Sequence, residues 1–217
     1  MGIHYFPCQF VYWRKIKNHE NFKQRLLKCI NDRSSAFSKH DLIEGSGATS
    51  HVHPSKLKSD DLHYTLMKEN QDIIQEIVWN SLDELILELN SRENHKKVDI
   101  IDSNINNSWI SVYDQNSTVS CHCHYNHPIS GGEIPSFVVV YILNDTNDYN
   151  TTEFLLLNGQ APPLSNVSDY RFKTSHVDEI REGVVMIFPS NLYHQVNNVK
   201  KKGRIVYTFN IFSRFLN

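Results

Sequence analysis

The stretch EGVVMIFPSNLYHQVNN, residues 182–198, followed by GRIVYTFNIF, residues 203–212, decides how this chain folds. Both segments are rich in β-branched and aromatic residues, which favour strands. Pro189 ends the first apolar run, and His194 follows five positions later. Arg204 comes ten positions after His194, at the start of the next β-rich run. The pattern predicts successive strands that carry a histidine and an arginine at defined places.

The same strand-forming sequence pattern extends back to about residue 98. Short β-rich runs alternate there with turn-forming residues, in the order VDII, SWISVY, SFVVVYIL, TTEFLLL and DYRFKT. Many short strands at near-regular spacing are typical of a sandwich or a jelly roll. We therefore predict a mainly β fold, in which residues 98–217 form a double-stranded β-helix, the cupin-like jelly roll.

The segment before residue 98 has a different pattern. HYFPCQFVYW, residues 4–13, predicts an opening strand, whereas apolar residues recur with a helical period near 19–31 and over about 70–91. Helices with one apolar face need a flat partner, and a β-sheet supplies one. We expect residues 1–97 to be an N-terminal strand and supporting helices, within a single domain of residues 1–217.

Composition narrows the classes of partner. The 217 residues include 22 basic and 24 acidic side chains, a net charge of -2, which disfavours nucleic acid as a partner. No stretch approaches the roughly 20 apolar residues of a membrane helix, so no membrane association is expected. Four cysteines at irregular spacing do not form a disulfide framework, and the N-terminus lacks the features of a secretory signal. We expect a cytoplasmic protein.

The chemistry is concentrated in CHCHYNH, residues 121–127. His122 and His124 are two positions apart, so on a strand they face the same side. With His194, 70 residues after His124, they make a ligand set for Fe(II) or Zn(II). A zinc knot that also used the intervening cysteines is sterically poor, because adjacent strand residues point to opposite faces. Those cysteines are expected to be small buried hydrophobes.

These residues resemble the Fe(II)/2-oxoglutarate-dependent oxygenases, and among them the small oxygenases of phages and marine microbes. The resemblance is carried by SWISVYDQNSTVSCHCHYNHP, by SFVVVYILND with TTEFLLL, and by EGVVMIFPSNLYHQVNN with GRIVYTFNIF. Members of that family are double-stranded β-helices. An H-x-D/E pair and a distal histidine hold their iron, and an arginine about one strand later holds the far carboxylate of 2-oxoglutarate.

The resemblance implies roles for particular residues. His122 and His194 correspond to iron ligands, His124 lies where the carboxylate ligand usually does, and Arg204 would anchor 2-oxoglutarate. A carboxylate from Glu133 or Glu153, or the imidazole of His127, could replace His124 as the third ligand. Candidates for a second contact to the cosubstrate are Tyr113, Thr208 and Tyr207; Trp109 and His127 are candidates for lining the substrate pocket.

The function implied is hydroxylation of an unidentified substrate, a protein side chain or a small molecule, by a dioxygenase. Fe(II) would be the cofactor, and 2-oxoglutarate and O2 the cosubstrates, with succinate and CO2 as co-products. Two alternatives stay open: a cupin-like three-histidine metal protein, and an inactive pseudo-oxygenase that acts as a binding module. The remaining histidines, His19 among them, are expected at the surface, and a second H-x-H at 51–53 is expected in a loop.

Overall fold

The strands of this protein form two antiparallel sheets. The computed structural model describes residues 2–6, 9–32, 43–44, 48–49, 62–92, 97–125, 134–146, 152–155 and 171–216. Within these ranges the strands are Gly2–Phe6 (β1), Gln9–Lys15 (β2), Ile43–Glu44 (β3), Ala48–Thr49 (β4), Ile100–Tyr113 (β5), Thr118–His122 (β6), Phe137–Asn144 (β7), Thr152–Leu155 (β8), Arg171–Lys173 (β9), Val184–Pro189 (β10), Tyr193–Val196 (β11) and Arg204–Phe215 (β12).

The strand order is that of a double-stranded β-helix. The larger sheet has seven strands in the order β1-β2-β10-β7-β12-β5-β4, and the smaller has five in the order β3-β6-β11-β8-β9. Strands that follow one another in the chain, such as β10 and β11, lie in different sheets, so the chain winds around the space between them. The jelly roll predicted from the sequence is therefore confirmed.

The two faces of β12 show where the cores lie. Tyr207, Phe209 and Ile211 are fully buried in the cluster that the helices share with the larger sheet. The alternate residues, from Arg204 to Asn210, face the smaller sheet, and Val206 packs there in a cluster of valines that also contains Tyr113. A strand of period two can face two environments, because successive side chains point to opposite sides.

The opening segment differs from the single strand that the sequence predicted. Residues 2–15 contain two strands, β1 and β2, which pair antiparallel with Phe6 opposite Gln9. The reason is local, because Pro7 cannot donate to a ladder and interrupts the apolar run. Strand β2 also pairs with β10, so the N-terminal hairpin extends the larger sheet.

The described helices cover the outer face of the larger sheet. They are His19–Asp32 (α1), Leu62–Glu69 (α2), Gln71–Ile74 (α3) and Asn80–Asn90 (α4), with a π-helical segment at Gln75–Trp79. A short 3-10 helix at Thr174–His176 lies instead beside β8 of the smaller sheet. The helix predicted over 70–91 is present as the continuous run from α3 to α4. Among the described residues, none of the helices has the length and apolar character that crossing a membrane requires.

Arg14 of β2 explains the π-helical segment. Its Nη2 donates to the Glu76 carbonyl oxygen at 2.6 Å, and its Nε donates to Ser81 Oγ at 2.7 Å. A carbonyl bonded by a guanidinium can be released from the regular helical pattern, and π-bulges arise where that pattern is interrupted. Ion pairs to Glu76 and Glu84 complete the contact of Arg14 with the helices. This buried arginine attaches the helix layer to the sheet.

Candidate metal centre

Two neighbouring strands of the smaller sheet place His122 and His194 side by side. The residues are direct cross-strand partners in the pairing of β6 with β11. Directly opposite residues in an antiparallel pair project to the same face. Their ring centroids are 4.3 Å apart, so the two imidazoles form a pair.

His124 completes a cluster of three histidines. It follows the end of β6, where its backbone N–H donates to the Ser190 carbonyl oxygen at 2.8 Å. The ring centroid of His124 is 5.3 Å from that of His122 and 5.2 Å from that of His194. One potential ligand atom from each of the three residues lies within 4.8 Å of the others. The H-x-H pair and the distal histidine thus meet at one point.

Hydrogen bonds orient all three rings in the same manner. Each Nδ1 lies beside an oxygen: that of His122 is 2.8 Å from the Ser120 carbonyl, that of His194 is 3.1 Å from the Leu192 carbonyl, and that of His124 is 2.7 Å from Asn210 Oδ1. Since a carbonyl oxygen can only accept, each Nδ1 carries the proton. Each Nε2 therefore keeps its lone pair, the arrangement found in metal-ligating histidines.

The charge state of the cluster also suits a cation. Burial, and then the proximity of His122 and His124, lower the pKa of His194 well below its usual value. A neutral imidazole has the lone pair that a metal requires. Three nitrogen donors of this kind suit Fe(II), Zn(II) or a related ion, so the residues present fit the metal that the resemblance implies.

The other proposed ligands do not join the cluster within the described residues. Glu153 pairs with Gln195 across β8 and β11, on the face opposite His194. Its carboxylate accepts hydrogen bonds from Gln195, Asn197 and Arg171 instead. The idea that Glu153 supplies the third ligand is thus overturned by the alternation of side chains along β8. Glu133, His127 and the H-x-H at 51–53 lie outside the described residues.

The carboxyl of Glu153 is stabilised as an anion on that outer face. Burial raises its pKa, but hydrogen bonds from Asn197, Gln195 and Arg171 and the charge of Lys173 outweigh burial and leave the pKa lowered. This network connects β8, β9 and β11 on the side away from the histidines. The role of Glu153 is accordingly to join strands.

The two cysteines beside the histidines occupy different environments. Cys123 is buried, as expected, whereas Cys121 is exposed, contrary to expectation, and both are free thiols. Although Cys121 is exposed overall, its thiol is partly shielded from water, which raises the pKa of the thiol. The neighbouring Cys123 and Glu153 raise this pKa further. Neither belongs to the histidine cluster.

Arg204 is buried on the inner face of β12. Only 3% of its surface is exposed, its Nη2 donates to Thr152 Oγ1 at 3.2 Å, and its guanidinium carbon lies 5.7 Å from the centre of the Tyr113 ring. Tyr113 is its cross-strand partner on β5. Burial raises the pKa of Tyr113, although the charge of Arg204 opposes this, so the phenol stays neutral. The sequence placed Arg204 and Tyr113 together but missed Thr152.

The remaining candidates for contacts to substrate or cosubstrate lie on different faces of the larger sheet. Trp109 stacks on His124, with ring centroids 5.6 Å apart and planes 21° from parallel. Thr208 is opposite Trp109 in the ladder, four residues and about 13 Å of strand from Arg204. Tyr207 belongs to the cluster beneath the helices and cannot contact a ligand between the sheets.

The burial of two polar residues, one at the histidine cluster and one beneath α1, was not predicted from the sequence, for different reasons. Asn210 is six positions after Arg204 on β12, so the alternation of side chains along a strand could have predicted that both face the inside of the barrel. Its contact with His124 spans 86 positions and needs the fold. His19, expected at the surface, is only 5% exposed, because α1 packs it against the larger sheet.

Comparison with known proteins shows which solved structures share this fold. No protein-family model and no curated protein sequence matches the chain. Among solved structures, an oxidoreductase of the 2OG-Fe(II) oxygenase family from Burkholderia pseudomallei matches with a TM-score of 0.58 at 10% identity, covering 93% of this chain and 84% of its own. This chain has the fold of the 2OG-Fe(II) oxygenases.

Two further structures with this oxygenase fold match over nearly their whole length. OsALKBH1 has a TM-score of 0.58 at 12% identity, covering 96% of this chain and 99% of its own. A prolyl-4-hydroxylase from Pseudomonas putida has a TM-score of 0.51 at 11% identity, covering 93% and 92%. The similarity extends across the N-terminal half as well as the β-rich half. At such identities it concerns the fold.

Proposed function

We propose that this protein is an Fe(II)- and 2-oxoglutarate-dependent dioxygenase that hydroxylates a C–H bond of a second substrate. The single observation that carries the proposal is the meeting of three oriented imidazoles, with a buried arginine on the inner face of the same barrel. Overall, 2-oxoglutarate, O2 and R–H would give succinate, CO2 and R–OH. The fold supports the proposal, because proteins of this reaction class have it.

His122, His124 and His194 would hold the iron through their Nε2 atoms. When bound, the metal would supply the redox chemistry of O2 activation. The protein's own contribution is orientation. The oxygens of Ser120, Leu192 and Asn210 hold the three Nδ1 protons, and the Trp109 ring packs against His124.

Arg204 would bind the far carboxylate of 2-oxoglutarate. A guanidinium presents paired N–H donors that match a carboxylate, and such a pair is strong where little water competes. Thr152 already accepts a hydrogen bond from Arg204, so its hydroxyl would orient the guanidinium. The Tyr113 ring covers the arginine from the neighbouring strand. Thr208 is better placed near the metal than beside Arg204.

The substrate of this reaction would be a protein side chain or a small molecule. Trp109 is only partly buried beside His124, and Tyr125, which follows the cluster, is 50% exposed. Aromatic rings at the rim of a metal site offer apolar surface on which a substrate can rest. These two side chains would help to position the target C–H bond.

The test is an anaerobic titration of Fe(II)-loaded protein with 2-oxoglutarate. Chelation of ferrous iron by the keto acid should produce a weak visible charge-transfer band. In Arg204→Ala the dissociation constant for 2-oxoglutarate should rise about 30-fold or more, since losing a buried charged partner costs about 2 kcal/mol or more. Iron content should stay unchanged.

Arg171→Ala is the matched control for this titration. It removes another arginine of the barrel, but one that pairs with Glu153 on the outer face of the smaller sheet. Its titration should match that of the wild type. Absence of the band in wild-type protein that contains one iron per chain would exclude the proposal.

A second candidate is a cupin-like three-histidine metal protein that does not use 2-oxoglutarate. The observation in its favour is His124, an imidazole where a carboxylate would complete the usual triad. Three neutral ligands leave the site one charge more positive than two histidines and a carboxylate do. If this candidate is correct, the protein should bind the metal but show no charge-transfer band with 2-oxoglutarate. Arg204→Ala should change neither result.

A further inference from the structure

The third histidine of the cluster depends on a side chain from a distant strand. His122 and His194 are oriented by carbonyl oxygens two residues earlier in their own segments, those of Ser120 and Leu192. His124 is instead oriented by Asn210 of β12, whose Oδ1 lies 2.7 Å from His124 Nδ1. The first two contacts are local to each strand, whereas the third requires the two sheets to meet.

Asn210 occupies a position suited to this contact. It is 6% exposed, as is His124, so the hydrogen bond lies in a region of low dielectric. It belongs to the inner face of β12 and is paired in the larger sheet with Asn107 and Val138 on the two neighbouring strands. Its backbone is therefore held on both sides. A side chain on such a support has little freedom to move away from the ring.

The chemistry of the amide suits an imidazole as third ligand. The carbonyl oxygen of Asn210 can accept the Nδ1 proton of His124, and a ring protonated at Nδ1 has its lone pair at Nε2. Trp109 packs against the same ring and limits its rotation. The backbone N–H of His124, bonded to Ser190, anchors the main chain. Ring and backbone are thus both positioned before a metal arrives.

We infer that Asn210 is a positioning residue that presents Nε2 of His124 to the metal and so makes an imidazole usable as the third ligand. The inference rests on the metal site of the proposed function. It does not depend on 2-oxoglutarate, because the contact belongs to the protein alone. Asn210 acts through His124, so its removal should matter only while His124 is present.

The first experiment measures Co(II) binding to the full-length protein by calorimetry and by the visible absorption of the bound ion. Asn210→Leu should weaken binding about 10- to 100-fold, the usual effect of losing the partner of a metal-ligating histidine. Asn210→Asp keeps an oxygen acceptor and should bind within about threefold of the wild type. Ser213→Ala, farther along β12, is the control for strand integrity and should bind normally.

A double-mutant cycle separates positioning from a structural role. In the background of His124→Ala, adding Asn210→Leu should change Co(II) affinity less than about twofold, since the group that Asn210 orients has gone. An equal loss with and without His124 would overturn the inference. So would an Asn210→Leu variant that binds Co(II) as the wild type does.

A second experiment needs no variant that could fail to fold. Nitrogen-15 spectra of the imidazole rings in metal-free wild-type protein should show His124 protonated at Nδ1 and bare at Nε2. A proton on Nε2 would overturn the inference even if Co(II) binds normally. Wild-type protein that shows the Nδ1 proton but binds no Co(II) would instead exclude the proposed metal site, so the two failures are distinguishable.

Discussion

Within the described part of the chain, two groups of side chains bring potential metal ligands together, and only one of these two is suited to a metal. The first contains His122, His124 and His194 between the sheets. The second contains His19, Glu20 and Glu182, where α1 meets the larger sheet. Both include a buried histidine and both satisfy the same limit of 4.8 Å between ligand atoms. Distance alone does not distinguish them.

The difference lies in what already occupies the ring nitrogens. In the second group, His19 Nε2 is 3.1 Å from Glu182 Oε1, and Nδ1 is 2.6 Å from the Tyr141 hydroxyl. Burial, followed by the charges of Glu182 and Glu20, raises the pKa of Tyr141, so the phenol keeps its proton and donates it to Nδ1. Both nitrogens of His19 are then used in hydrogen bonds.

A cation is also already present in the second group. The ammonium of Lys23 pairs with the Glu182 carboxylate at 2.5 Å, and the backbone N–H of Asp145 donates to the same carboxylate. The group is therefore a completed network that joins a helix to the start of β10. The first group instead brings together three imidazoles that carry the proton on Nδ1 and therefore the lone pair on Nε2. The tautomer of the three rings in the first group, and the ammonium already bound in the second, distinguish the two groups where proximity does not.

The largest expected effect is on metal binding by the first group. His194→Ala should reduce Co(II) affinity by more than about 100-fold, because losing a ligand must cost more than losing the partner of a ligand. His19→Gln, from the second group, is the matched control and should leave this affinity unchanged. Calorimetric titration of both variants checks the comparison. A comparable loss in His19→Gln would show that the second group also binds metal.

The next effect tests how tightly the second group is packed. Gly183 has φ +81°, and a Cβ there would lie 2.7 Å from His19 Cγ. Gly183→Ala should therefore cost about 2–4 kcal/mol of unfolding free energy, from backbone strain and overpacking together. Urea denaturation measures the loss.

Gly203→Ala controls for the backbone contribution to that loss. Gly203 also has a positive φ, +102°, but a Cβ there would meet Thr146 Cγ2 only at 3.6 Å, an ordinary contact. The cost of Gly203→Ala should be smaller, since strain acts there without a clash. Equal losses in the two variants would mean that His19 moves aside at little cost.

The smallest effect concerns acid stability. Burial raises the pKa of Glu182, but hydrogen bonds from Asp145, Lys23 and His19 outweigh burial and leave the pKa below 4.5. The unfolded chain then binds the proton first, so the stabilisation is present above pH 4.5 and is lost as the pH falls through the lower folded pKa.

Glu182→Gln should reduce stability by about 1–2 kcal/mol at neutral pH, the scale of hydrogen bonds to a charged group. Its difference from the wild type should shrink as the pH falls below about 4.5. Denaturation curves across this range measure the change. Glu20→Gln, whose side chain is 80% exposed, is the control and should follow the wild type. A difference that stays constant with pH would assign the effect of Glu182 to packing.

The sequence was sufficient for the fold and for the principal candidates of the first group. Strand alternation is a local property, so the β-rich runs after residue 98 predicted the jelly roll, and the spacing of His122 and His124 placed them together. His194 could be assigned to the same group, and Arg204 to the neighbouring cosubstrate site, because the two residues lie in successive strands of a recognisable pattern. The second group was not predicted, since nothing local to His19 indicates that α1 buries it.

What the sequence by itself determined is the β-rich character of the segment after residue 98 and the parity of the side chains along its strands. Only the tertiary structure decided that Glu153 faces outward, that Thr152 meets Arg204, and that Asn210 holds His124. The physical reason is that parity follows from the backbone of a single strand, whereas contacts between sheets depend on register and winding. Those are set by the packing of the whole chain.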